Sequence, residues 1–433
     1  MKLGASLPVL GAGLLATLGS LAAINADWQN ATYVPIDSPA IQYKQQPPAD
    51  DAVAQLEKKL EKGEVKLDYA PNGWGYLPSI LKLLDVNVDS QLLVFSKTSF
   101  QAAKISPRAP RALYFNDHVA VGFVEDGDVL EFAALDPKQG VNFYTMDVEK
   151  TDQPEFARRD VCLQCHQGLS TLGVPGILVS SVYPDADGMP AFRGQAMITD
   201  DRSSFDQRWG GWYVTGTHGS VQDMANAVGH DRTQPQLLDL QGTHNLTSLA
   251  RKFDTSKYLA PTSDIVALMT LEHQTRMTNL MTRIGWDTRI AEHDGKLDAM
   301  RDQIDAEIDE MVKYMLFADE AKIEEPVKGV STFTQTFPKR GPRDKKGRSL
   351  RDFDMQTRMF KYPLSYMIYS AEFDNMPQMV RDRVWQRLFD VLTAKDKNPI
   401  FARLTPADRT NILEIVRDTK PGIPDYWKNF VAQ

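Results

Sequence analysis

Among 433 residues there are only two cysteines, Cys162 and Cys165, and His166 follows the second directly. All three lie in RRDVCLQCHQGLSTLGVPG, residues 158–176. The spacing C-x-x-C-H is the attachment signature of a covalently bound haem. The two thiols add across two porphyrin vinyl groups as thioethers. The next residue then lies beneath the iron, where an imidazole nitrogen becomes an axial ligand. One turn of helix presents all three groups to the same ring. A zinc site would need two further ligands, usually a second C-x-x-C or an H-x-x-x-H, and the chain has neither. A thioredoxin-like pair expects a preceding strand and a cytosolic setting, and gives His166 no task.

Through CLQCH the chain resembles the c-type cytochromes. Over RALYFNDHVAVGF, CLQCHQGLSTLGVPG, RWGGWYVTGTHG, SDIVALMTLEHQ and SLRDFDMQTRMFKYPLSYMIYS it is similar to large single-haem proteins carried by many bacteria, a likeness running from about residue 90 to residue 420. The resemblance implies one covalently bound haem c with its iron, electron transfer to or from a redox partner protein, and export. It implies no substrate. Small cytochromes of this kind carry a Gly-Pro pair about ten residues past the haem histidine, whose proline carbonyl accepts the imidazole N–H. Here GVPG puts Pro175 nine residues after His166, with Val174 inserted between Gly173 and the proline. A turn built by Gly173, Pro175 and Gly176 explains the same residues, and the two readings are compatible.

The second axial ligand decides whether an iron carries electrons or does chemistry. His218, in YVTGTHGS between Gly216 and Gly219, is the first choice, because a flexible turn can bring an imidazole against a flat ring. His273 has Val266, Met269, Met277 and Leu280 on its own helical stripe, which suits a core histidine as well as a ligand. Met197 and Met224 fall where small cytochromes place a methionine, but with 16 methionines in the chain either can equally be core filler. His230 and His244 sit in polar, loop-like surroundings. Arg193, Arg202 and Arg208, with Trp209, Trp212 and Tyr213, offer the N–H and O–H donors that haem propionates attract.

The elements that must position these groups show in the hydrophobic pattern. QLLVFSKT, RALYFND, HVAVGFVED and GDVLEFAALD alternate with period two, and Asn116-Asp117 and Asp126-Gly127 form turns between some of them. GILVSSVYPDADGMPAFRGQAMI continues as two strands about the turn at Asp185–Gly188, which lacks the remaining ligands of a calcium loop. DAVAQLEKKLEKGEV reads as a short charged helix. SDIVALMTLEHQTRMTNLM reads as a buried helix capped by Ser263 or Asp264. Leu297, Met300, Ile304, Ile308, Met311 and Met315 form the apolar stripe of another. VRDRVWQRLFDVL and DRTNILEIVRDT are amphipathic, and KPGIP is a stop signal. The basic run KRGPRDKKGRSLR, 339–351, is either a solvated loop or a docking site for an acidic redox partner.

At the scale of the chain, 42% hydrophobic and 24% charged residues exclude wholesale disorder, and a net charge of −8 argues against a nucleic-acid partner. Lys2 precedes an uncharged run from Leu3 to Asn25, which reads as a signal peptide or an uncleaved membrane anchor, with a periplasmic or otherwise exported body. The expected fold class is α+β: an antiparallel β-rich N-terminal half, a covalent haem segment and a largely α-helical C-terminal half. The expected divisions are 1–26, signal or anchor; 27–75, extended tether and short helix; 76–260, β-rich haem-attachment region; and 261–433, helical region. The leading reading is an electron carrier. Its rivals are a haem peroxidase or oxidase with an open distal face, and a haem subunit docked on a membrane redox complex. No Gly-rich phosphate loop, HExxH or G-x-S-x-G supports a hydrolase.

Overall fold

The computed structural model describes residues 34–48, 50–191, 196–231, 233–234 and 236–430. The proposed signal or anchor at 3–25 and Arg193 lie outside the described residues. No helix among the described residues is long and apolar enough to cross a membrane.

The N-terminal half is organised by a seven-stranded antiparallel sheet. Its strands are β1 (Leu92–Val94), β2 (Arg111–Phe115), β3 (Val119–Phe123), β4 (Val129–Asp136), β5 (Gly140–Asp147), β6 (Ala157–Arg158) and, after the separate pair β7 (Ser180–Ser181) and β8 (Met197–Ile198), β9 (Trp212–Tyr213). In space they run β6-β5-β4-β3-β2-β1-β9. The turns work as their residue types require. Asn116 Oδ1 accepts the backbone N–H groups of His118 and Val119, at 2.9 and 3.0 Å, and so closes the β2–β3 hairpin. Asp136 does the same for Lys138 and Gln139, both at 2.9 Å, between β4 and β5. The turn at Asp185–Gly188 forms as expected, with the Gly188 N–H on the Asp185 carbonyl. The aromatic segment at Trp209–Tyr213 gives one short edge strand, Trp212–Tyr213.

Cross-strand register sorts the sheet into two faces. Tyr114, Val121, Phe132 and Tyr144 stand in one row. They are buried with α1 (Ala52–Glu61) and α2 (Leu77–Leu83) in one core. The opposite face has the rows Leu113–Gly122–Glu131–Thr145 and Phe115–Ala120–Ala133–Phe143. This second face turns toward the C-x-x-C-H segment and the helices of the C-terminal half.

Those helices pack around α4 (Ile265–His293), which follows α3 (Leu163–His166) in the chain. α4 has 29 residues and is buried over most of its length and on all sides. Asp264 caps it, accepting from Val266 and Ala267 N–H. α5 (Leu297–Met315) spans the predicted stripe, and α6 (Gln378–Leu392) and α7 (Pro406–Thr419) complete the bundle. Between Leu316 and Gln378 there are only short helical turns, because Pro326, Pro338, Pro342, Pro363 and Pro377 interrupt any longer helix.

Two expectations change. Residues 34–48 do not extend away from the body. Val34, Ile36, Ile41 and Tyr43 are buried in one cluster with Leu163, Val174 and Trp286. The basic run at 339–351 is largely committed within the molecule: Arg340 pairs with Asp85, Arg343 with Asp352, Lys346 and Arg348 with Glu414, and Arg351 with Asp117.

Candidate functional site

Cys162 ends a 3₁₀ turn, Asp160–Cys162, and α3 follows at once, so the two thiols and the imidazole lie on little more than one helical turn. Neither cysteine is in a disulfide; Cys162 is half-buried and Cys165 exposed. Burial pushes the Cys162 thiol up, with the Glu131 carboxylate adding to the effect. Leu163, between them, is buried and roots the turn in the core beneath.

His166 is held from both ends of a loop. Its Nδ1–H donates to the Gly176 carbonyl at 2.9 Å, and its own carbonyl accepts the Gly176 N–H at 2.9 Å. A carbonyl can only accept, so the Nδ1–H tautomer is fixed and the lone pair lies on Nε2. Among the described residues no hydrogen bond engages Nε2. Burial pulls the pKa below the ordinary imidazole value, against the opposing effect of the Gly176 carbonyl. Phe143 of β5 packs on the imidazole, ring centroids 4.8 Å apart. The acceptor is therefore Gly176, one residue past the expected Pro175. The Pro175 carbonyl instead takes the Val141 N–H at 3.1 Å and ties the loop to β5.

Part of the surroundings is apolar. Leu113, Ala120 and Ala133 stay partly exposed on the inner sheet face, beside Phe143. Val161 and Leu169, on either side of the motif, are 60% and 70% exposed, although large apolar side chains favour burial. At the rim, Arg111 of β2 pairs with Glu131 of β4 across Gly122 of β3, where a Cβ would come within 2.9 Å of the guanidinium. Gln101 and Ser99 also donate to Glu131, at 2.8 and 2.9 Å.

The other predicted residues are not brought to the motif. His218 is buried near the N-terminal end of α4, where Thr215 bridges to Asp264, and its Nε2 lies 2.9 Å from Asp223. The loop that holds His166 touches α4 at Asn279, fifteen residues farther along the helix, or about 22 Å. His273 has both nitrogens engaged, Nδ1 with Asp201 at 3.0 Å and Nε2 with Ser365 Oγ at 2.8 Å, and stacks between Tyr314 and Phe317. It is the core histidine of the two readings. Met224 is buried and accepts from the Ser181 hydroxyl. Met197 pairs with Ser181 across β7–β8, five residues beyond Gly176. His230 is exposed beside Asp239, and His244 lies against the Asp223 backbone. Among the donors, Arg208 is committed to Glu272 and to the Ser203 and Asp201 carbonyls, Arg202 to Asp200 and Glu310, Trp212 to the Ser180 carbonyl, and Tyr213 to the Pro107 carbonyl. Trp209 is fully buried.

The guanidinium groups that do flank the motif are Arg111 and Arg159, the latter exposed and bonded to Thr145 at 2.7 Å. Sequence reasoning passed over both, as it passed over Phe143, and it took Gly176 only as a turn residue. The one available signal was period two in β2, which puts Arg111 on the same face as Leu113 and Phe115.

No family model, no curated protein and no solved structure matches the chain. Among the described residues, no group of three or more His, Cys, Asp or Glu side chains is placed to hold a metal ion. The groups at 162–166 are of another type. They are two unpaired thiols and one imidazole with a fixed tautomer and an uncommitted nitrogen beside an apolar floor. These are the features that thioether attachment and axial ligation of a haem require.

Proposed function

We propose that the protein is an exported single-haem c-type cytochrome that passes electrons between redox partner proteins. The haem supplies a reversible one-electron change at its iron. In this reading Cys162 and Cys165 tether the ring through thioethers and His166 is an axial ligand through Nε2. The Gly176 carbonyl orients the imidazole and raises its basicity. Leu113, Ala120, Ala133 and Phe143 would offer the ring an apolar surface, and the exposed Val161 and Leu169 would add to it. Arg111 and Arg159 replace the arginines expected from the sequence as partners for the ring's carboxylates. The observation that carries the proposal is the hold on His166 through Nδ1 alone, which leaves Nε2 free at the end of a turn bearing two unpaired thiols.

A carrier keeps both axial positions filled, so that its iron changes oxidation state without gaining or losing a ligand. Neither His218 nor His273 supports that role here, and Met197 is the methionine whose pairing leads back toward the motif. A haem enzyme with an open distal face is the alternative this arrangement favours next.

The test is production with the cytochrome c maturation machinery, followed by a denaturing gel stained for haem peroxidase activity and by optical and EPR spectra. The expected result is a stained band at the protein's own mass and a low-spin iron inert to cyanide. A high-spin, cyanide-binding iron assigns the enzyme reading. An unstained band of intact protein overturns both.

A further inference from the structure

The loop that holds His166 does not stand alone. Its far end, the Ile177 carbonyl, accepts from Asn279 Nδ2 at 2.8 Å, and its near end, the Leu172 carbonyl, accepts from Arg283 Nη1 at 2.9 Å. Asn279 and Arg283 are one turn apart on α4, and Trp286, three residues on, packs with Val174 from the middle of the loop. The loop is thus read at both ends and in the middle by one stripe of the buried part of α4.

Asn279 is the most closely fitted of the three. It is 2% exposed, and its Oδ1 has no hydrogen-bond partner. A Cβ added to Gly176 would lie 2.1 Å from that oxygen. Gly176 is the residue whose carbonyl holds the imidazole, and absence of a side chain there lets Asn279 pack against its Cα, next to that carbonyl. A polar amide in a helix core carries a desolvation cost that one hydrogen bond only partly offsets. Packing alone would be better served by leucine.

Resting on the haem reading above, we propose that Asn279 is a positioning residue for the iron ligand: by pinning the Ile177 carbonyl on one side of the Gly176–Ile177 peptide and packing against the Gly176 Cα on the other, it sets the strength and direction of the Nδ1–H hydrogen bond, and through it the reduction potential. A strong bond from Nδ1–H makes Nε2 a better donor and favours the oxidised iron. Loosening the peptide weakens that bond, and the potential moves up.

The test compares haem-loaded wild type with Asn279→Leu, Asn279→Ala and Gly176→Ala by redox titration, ferric EPR and thermal unfolding. The expected result is covalent haem in all four, with an upward-shifted midpoint potential and altered EPR g-values in the variants. The shift should not track their melting temperatures, as a merely structural role would demand. If one variant fails to fold, the other two decide. Variants with covalent haem, wild-type potential and wild-type g-values overturn the role of Asn279 and leave the cytochrome reading intact. Wild type without covalent haem overturns both.

Discussion

At the scale of the residue, chemistry-bearing types were legible where their meaning is local. The C-x-x-C-H spacing of Cys162, Cys165 and His166 lies within five positions, and the structure places the three on little more than one helical turn. The partners of a lone histidine are not local. His273 meets Asp201 and Ser365 at sequence separations of 72 and 92, and His218 meets Asp223 on a turn whose shape the sequence does not specify. A glycine-flanked imidazole and a core imidazole therefore looked equally fit to reach iron. The structure separates them from the motif, which makes a prediction. His218→Ala and His273→Ala should both retain the axial spectroscopic signature of wild type, read by EPR of the ferric protein; loss of the low-spin signal in either restores that histidine as a ligand. His273→Ala should still lower unfolding free energy by about 2–4 kcal/mol, because it leaves Asp201 and Ser365 buried without their partner. Urea denaturation measures that loss, and an unchanged midpoint contradicts it.

At the scale of the element, periodicity gave strands β2 to β4 and helix α5 close to their observed limits, because each buries one row or one stripe; it gave the start of α4 but not its end at His293, and β1 is shorter than the run that suggested it. What periodicity could not show is which polar residues on a buried helix face inward with a task. Asn279, Arg283 and Asp287 repeat at intervals of four on α4, with Arg283 on Asp287, and such a polar stripe within an apolar helix was the available signal. The N-cap was legible, but its reach was not. Asp264 also accepts the N–H groups of Val330 and Ser331, at 2.8 and 2.7 Å, and so ties the start of α4 to a loop some 65 residues later. Asp264→Ala removes both sets of bonds. It should cost about 2–3 kcal/mol, above an ordinary cap, while Asp264→Asn recovers part of the loss; chemical denaturation of the three proteins tests the ranking. Equal stability of Asp264→Ala and wild type would remove the cap from the account.

At the scale of the whole molecule, the α+β division was legible, and the packing of residues 34–48 was not, since a proline-rich polar stretch resembles a tether until its few apolar residues find a groove. Burial of carboxyl groups has a global effect too. Burial raises Glu272 to about 7, against the pull of Arg208; it raises Glu307 to about 8, with Asp287 adding to it; and it raises Glu320 to about 8, with Asp201 adding to it. Folded chains keep these protons where unfolded chains release them, from the ordinary value of 4.5 upward. The contribution is complete below that value and is lost as pH rises through 7 to 8. The melting temperature should therefore fall between pH 5 and pH 8, and Glu307→Gln should flatten the fall, gaining on wild type at pH 8 and matching it near pH 4.5. A melting temperature that rises across that interval sinks the prediction. One last consequence comes from the front of the chain. Gln167 Nε2 donates to the Val34 carbonyl at 3.2 Å, and Tyr43 OH to the Val141 carbonyl at 2.6 Å, across separations of 133 and 98 residues. Residues 34–48 cannot settle until the chain has been made through Gln167, so the belt buckles after the sheet strands it crosses, and until it does one flank of the thiol-bearing turn stays unroofed.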